Sequence, residues 1–284
     1  MVPACFDGCL KRKICLALLC ALALAAAGCT GTGPDTATPV PTASADGDPV
    51  NSTLAAFASG VQSTLDRLDA GTSAAADALG ETGLDGAGAE EVLLNLSRAH
   101  LATPDAVTFD PDGRIVAAMP EEYRFAVGAN IHGEPNVRAA LNGTPGLSPR
   151  INLVEGFRGV ALAHPVLNAT GLAGGVSLVI QPERLLALEA LGAMGNATLA
   201  LWAVQTDGTI ILDSDSSLIG RTLADETRHG DASALGEVAR EILSTPSGYA
   251  RYRANETAGV EGSIAWDTVG LHGTEWRLVV NREQ

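Results

Sequence analysis

The sequence predicts an α+β protein: a long leading helix, then two antiparallel sheets with flanking helices. Three observations carry that prediction. Leu54, Phe57, Val61, Leu65 and Leu68 recur every three or four residues, which aligns them on one helical face. From Asp105 onward, short apolar runs with strand periodicity are separated by turn residues. The order of elements around Asp112-Gly113 then recurs around Asp207-Gly208, which marks a divergent internal duplication.

The leading helix runs from about Leu54 to Leu79, with Asn51 and Ser52 as caps and Gly71 as its weak point. A second helix covers Ala89–Leu101 and stops before Pro104. In the first unit, Val107–Phe109 and Arg114–Ala117 form a hairpin across Asp110-Pro111-Asp112-Gly113, where Pro presets φ and Gly supplies the positive φ. A short helix over Glu134–Leu141 precedes strands at Arg150–Val154, Phe157–Val166 and Ala173–Gln181, and a helix follows at Pro182–Leu191. The second unit repeats this order: strands at Leu199–Val204 and Thr209–Leu212, a helix at Asp231–Leu243, then strands at Gly248–Arg253, Ser263–Val269 and Glu275–Val280. Trp202, Trp266 and Trp276 fall in those strands and read as core, so the second unit is the structural one.

Residues 1–28 read as an export signal. Lys11-Arg12-Lys13 is a positive n-region, and Ile14–Ala27 is an apolar run too short for a bilayer span, which needs about 20 residues. Ala26-Ala27-Gly28-Cys29 resembles the lipobox of prokaryotic lipoproteins, which implies a lipid on Cys29 as a membrane anchor. Residues 29–49 are a flexible tether of Thr, Pro, Ala, Gly and Asp. Sequons at Asn51, Asn95, Asn142, Asn168, Asn196 and Asn255 would accept glycans on an exported chain.

Composition excludes several function classes. A formal charge of −15 repels phosphate backbones, so nucleic acid is not a partner. All five cysteines lie within the first 29 residues, which removes disulfides and thiolate chemistry from the folded part. No lysine follows Lys13, and phosphate-loop and Schiff-base chemistry go with it. Ser177 lacks the glycine frame of a nucleophile elbow. Asp110 and Asp213 each begin a calcium-like loop that then places Ile115 or Leu218 where glycine is required. The five histidines (His100, His132, His164, His229, His272) form no ligand pair by spacing, so the sequence supports no metal site.

The stretches Asp110-Pro111-Asp112-Gly113-Arg114-Ile115-Val116, Gly128-Ala129-Asn130-Ile131 and Ala163-His164-Pro165-Val166 through Val176 resemble the extracytoplasmic Cache (PAS-like) sensor family. So does Thr206-Asp207-Gly208 through Asp215, followed by Leu218-Ile219-Gly220-Arg221. The resemblance covers roughly residues 50–284 and implies a double Cache layout: a helical segment over 50–104, a membrane-distal PAS-like lobe over 105–192 and a second lobe over 193–284. It implies a small ligand, a carboxylate or an amino acid, bound without catalysis and without a cofactor. Because the chain stops at Gln284 with no kinase, cyclase or chemotaxis domain, the ligand is expected to be bound on behalf of a membrane signalling or transport partner. The alternative is a scaffold that keeps only the Cache architecture.

Arg158 and His164 share one strand face by alternation, and cations in an apolar strand suit an anion pocket; Arg158 pointing to solvent from an amphipathic strand is the other reading. The resemblance adds Tyr123, Arg124 and Asn130, where PAS-like folds close over their cavity. Lipidation has a direct check: Cys29→Ser should move the protein from the membrane fraction to the soluble one, and retention after a carbonate wash would contradict the anchor.

Overall fold

The computed structural model describes residues 48–194, 198–224, 234–255 and 260–283. Cys29, tether residues 29–47, Asn196 and His229 lie outside them, while Asp48 and Pro49, expected in the tether, open the first helix. Helix α1 (Pro49–Thr82) is a single 34-residue helix, about 50 Å long. Its N-cap is Asp48, whose carboxylate accepts from the Val50 N–H at 3.1 Å, with Pro49 in the first turn. The caps expected at Asn51 and Ser52 are therefore inside the helix. Gly71 does not break it, because the buried stripe from Val50 through Leu68 to Leu79 holds both sides of it against the sheets. Helix α2 (Gly86–Ser97) follows after a sharp turn and ends before the expected Leu101.

The first sheet comprises β1 (Ala106–Phe109), β2 (Ile115–Met119), β3 (Gly146–Leu147), β5 (Arg158–Asn168) and β6 (Gly171–Ile180), in the order β2-β1-β6-β5-β3, with β4 (Ile151–Asn152) paired to β5. The second comprises β7 (Ala200–Gln205), β8 (Ile210–Leu212), β9 (Gly248–Asn255), β10 (Val260–Leu271) and β11 (Thr274–Glu283), in the order β8-β7-β11-β10-β9. All pairings among the described strands are antiparallel, and the two strand orders correspond position for position. The aspartates of the repeated turns act as backbone staples. Asp110 accepts from the N–H groups of Asp112 and Arg114, and Asp207 from that of Thr209.

α1 covers one face of both sheets, and α4 (Pro182–Ala193) packs beside it. On the first sheet this face carries Val160, Leu162, Val166, Val176, Leu178 and Ile180. The opposite face is covered by the 3-10 turn Glu121–Ala126 and by α3 (Pro135–Leu141), and it carries Val107, Phe109, Ala161, Ala163, Ser177 and Val179. On the second sheet the corresponding outer face is closed by α5 (Ala234–Ser244) over Trp266, Tyr252, Ile264 and Val279, while Trp276 lies on the α1 side. No described helix is long and apolar enough to cross a membrane.

The lobes are tied through α1 and to each other. The Gln62 amide exchanges two hydrogen bonds with the Gly270 backbone, at 3.1 and 3.0 Å. Thr274 donates to the Leu147 carbonyl at 2.6 Å, and the Arg150 N–H donates to Gln205 at 2.7 Å. α1 also crosses the β5–β6 hairpin closely: a Cβ at Gly80 would strike the Leu167 carbonyl, whereas one at Gly71 would meet only Leu96, at 4.0 Å. Gly80→Ala should thus lower the thermal midpoint. Gly71→Ala should raise it, because alanine adds up to about 1 kcal/mol of helix stability over glycine. Both are read by calorimetry.

Candidate functional site

The first sheet's outer face contains a group of carboxyls. Asp105 directly precedes β1, and its carbonyl accepts from the Val179 N–H at 3.0 Å, so it shares the face of Val107 and Val179. It is 0 % exposed, and neither side-chain oxygen has a hydrogen-bond partner. Glu155, in the β4–β5 connection, lies against it, with Oε2 also buried and unpartnered. Two carboxylates are both acceptors, so this contact becomes a hydrogen bond only when one of them holds a proton.

Burial and the charge of Glu155 push the Asp105 pKa up to about 8. Burial raises Glu155 as well, and burial with the Glu155 charge pushes Glu134, the residue before α3, up to about 7. The Tyr123 phenol comes to the same group; burial first, then the charges of Asp105, Glu122 and Glu155, raise its pKa. Farther along the face, Asn136 on α3 is 0 % exposed; its Nδ2 donates to Ser177 at 3.4 Å and its Oδ1 is unpartnered. Small residues, Ala161, Ala163 and Ser177, floor this face, where the second lobe has Trp266 and Tyr252. Acceptors without donors on a buried face fit a ligand that brings its own donors and positive charge.

The five residues chosen from the sequence are not brought together. Tyr123 reaches the carboxyl group. Arg124 is exposed and pairs with Glu90 at 2.8 Å and Glu121 at 3.1 Å. Asn130 fastens a loop, its amide donating to the Asp112 carbonyl and its oxygen accepting from the His132 N–H. Arg158 is exposed at the start of β5, beside Arg150 and Gly220 of the second lobe. His164 is buried, and its Nε2 lies 2.7 Å from Asp69 Oδ1 on α1. Alternation does put Arg158 and His164 on one face, but it is the face toward α1, across the sheet from Tyr123. A floor of Arg158 and His164 under a Tyr123 lid is therefore not the arrangement found. Asp105 was readable from the same periodicity: the alternation that turns Val107 and Phe109 inward turns Asp105 with them.

A groove of about 680 Å³ opens elsewhere, between the α2–β1 connection and α4, lined by Arg98, His100, Leu101, Pro104 and Leu188 among others. Within its wall the chain's own turn is closed by His100 Nδ1, which accepts from the Ala102 N–H, and by the Thr103 hydroxyl, which donates to the Ser97 and His100 carbonyls. The carboxyl face is the stronger site.

Comparison with known proteins agrees with this architecture. Residues 63–182 match the family described as HK/GC/Chemotaxis protein-like, sensor domain. An extracellular ligand binding receptor from Desulfohalobium retbaense is similar at 30% identity and TM-score 0.69 over 81% of this chain; this chain spans 39% of that one. The ligand-binding domain of the Pseudomonas fluorescens chemoreceptor CtaA, in complex with L-alanine, aligns at 15% identity and TM-score 0.55, covering 82% of this chain and 95% of that one. That of the Pseudomonas aeruginosa amino acid chemoreceptor PctC, in complex with GABA, aligns at 18% identity and TM-score 0.56, covering 81% and 96%. No curated protein matches the sequence. The chain thus has the double-Cache fold of chemoreceptor ligand-binding domains.

The raised carboxyl pKa values set a pH dependence. A carboxyl whose pKa is higher folded than unfolded holds stability that is full below about pH 4 and is lost as pH climbs through its folded value, here about 7 to 8. The free protein should melt at progressively lower temperature from pH 5 to pH 8. Asp105→Asn should flatten that slope and raise the midpoint at pH 8, by about 2–4 °C for each kcal/mol recovered.

Proposed function

We propose that the chain is an extracytoplasmic ligand-binding sensor domain whose first lobe takes a small amine-bearing solute, an amino acid or a related ammonium compound, and performs no chemistry on it. The observation that carries this reading is Asp105: a fully buried carboxyl that meets the Glu155 carboxyl rather than a donor, with the Glu134 carboxyl near Glu155 also of raised pKa. A buried ionised carboxylate is costly when alone and is compensated when an ammonium pairs with it. L-Alanine and GABA, the ligands named for the two chemoreceptor structures, both carry an ammonium group. The anion pocket expected around Arg158 has no such support. In this reading the lipid on Cys29 holds the domain at the outer face of a membrane, and a membrane signalling or transport partner reads the bound state. The filled core of the second lobe suits a structural role.

A cation that binds this site favours the ionised carboxyls, so binding releases protons and strengthens as pH rises from 6 to 8. The test is a thermal-shift screen of amino acids, diamines and γ-amino acids against carboxylic acids without an amine. A selective amine at a hundred times its Kd should raise the midpoint by about 5–10 °C, and Asp105→Asn should remove the shift while the protein stays folded. A shift given by plain carboxylates, or retained in Asp105→Asn, would overturn the amine assignment; no shift from any solute would favour the scaffold.

A further inference from the structure

We propose that Asp69, His164 and His272 bind a divalent transition-metal ion at the junction of α1 and the two lobes. Sequence spacing hides the set, because its members come from α1, from β5 and from the turn between β10 and β11. Asp69 Oδ1 lies 2.7 Å from Nε2 of His164 and 2.7 Å from Nε2 of His272. The rings stand edge to face, with centroids 5.9 Å apart and planes at 82°. Each Nε2 therefore already aims at a common point beside the carboxylate, and the direction in which a ring presents its proton is the direction in which its lone pair meets a metal.

Two imidazoles and one carboxylate are the donor set of zinc and of its first-row neighbours, not of calcium or magnesium, which prefer all-oxygen shells. Metal–ligand bonds of about 2.0–2.2 Å give a tetrahedron with edges of about 3.4 Å. The two Asp69–histidine distances of 2.7 Å must then open by about 0.7 Å, within reach of side-chain rotation. Burial is graded as an open site needs: the His164 side chain is 10% exposed, that of His272 21% and that of Asp69 26%. The closed side is protein, and the outer side leaves a position for water.

The turn that supplies His272 argues for a purpose. His272 has φ 50 and Gly273 φ 83, and His272 is the one non-glycine residue at positive φ among those described. Two consecutive positive φ values suit Asn-Gly or Asp-Gly best, so histidine here trades backbone ease for where its ring points. The bound ion would pin both lobes to the same segment of α1.

The turn also provides the variant that tests the site. His272→Asn removes a ligand while keeping, or improving, the turn, so loss of metal binding cannot be put down to misfolding. Untagged, metal-stripped protein should bind one Zn²⁺ by calorimetry, take up Co²⁺ with the visible absorption of nitrogen and oxygen ligation, and show a higher thermal midpoint with zinc. His272→Asn and Asp69→Asn should each weaken zinc by more than about tenfold and lose the cobalt spectrum. Failure of the wild type to bind zinc, or equal binding by His272→Asn as surface histidines such as His100 or His132 would give, overturns the proposal.

Discussion

The structure depends on the burial of one face of α1 against two sheets at once. Each sheet has an apolar face that must be covered, and in both lobes α1 covers it. The stripe from Val50 to Leu79 supplies the missing apolar layer to both, so the main core cluster runs without interruption from the first sheet through α1 into the second. Specific contacts then fix how the sheets sit along the helix: the Gln62 amide on the Gly270 backbone, the Thr64 hydroxyl on Glu189 of α4 at 2.8 Å, and the absent side chain of Gly80 under the β5–β6 hairpin. Any rearrangement of one lobe must act against a helix that the other lobe also holds.

With one face of each sheet committed to α1, only the outer faces remain free to differ. The second lobe fills its outer face. Trp266 closes over Gly248, where any side chain would clash with the ring, and its indole N–H donates to the Thr245 carbonyl at 3.3 Å. The first lobe floors the equivalent face with alanines and a serine and surrounds it with Asp105, Glu134, Glu155 and Asn136. One architecture thus holds a packed core in one copy and polar groups awaiting partners in the other. Duplication followed by divergence gives that pairing directly, since the filled copy secures the helix while the other departs from ideal packing.

Local physics made much of this legible in the sequence. The three- and four-residue spacing from Leu54 to Leu68 gave α1 its place, and the two Asp-Gly turns located both hairpins, because helix and strand periodicity depend on near neighbours alone. The alternation in β5 correctly paired Arg158 with His164. What it could not say is which side of the sheet α1 would cover, and that long-range choice separated them from Tyr123. The alternation of Asp105 with Val107 and Phe109 is local, but its burial depends on the Glu121–Ala126 turn and α3 closing over that face, which no local pattern specifies. The Asp69–His164–His272 group had no local signature at all: the sheet pairings and the seat of α1 alone bring those three residues together.

On the proposed function, the first lobe keeps buried carboxyls protonated until an ammonium group takes the proton's place. Carboxyl ¹³C NMR titration of Asp105, in the free protein and with a saturating amine ligand, measures it most directly. A midpoint near 8 in the free protein and a marked fall on binding are expected. A midpoint near the ordinary 3.8 in the free protein, or one that the ligand leaves unmoved, would contradict it.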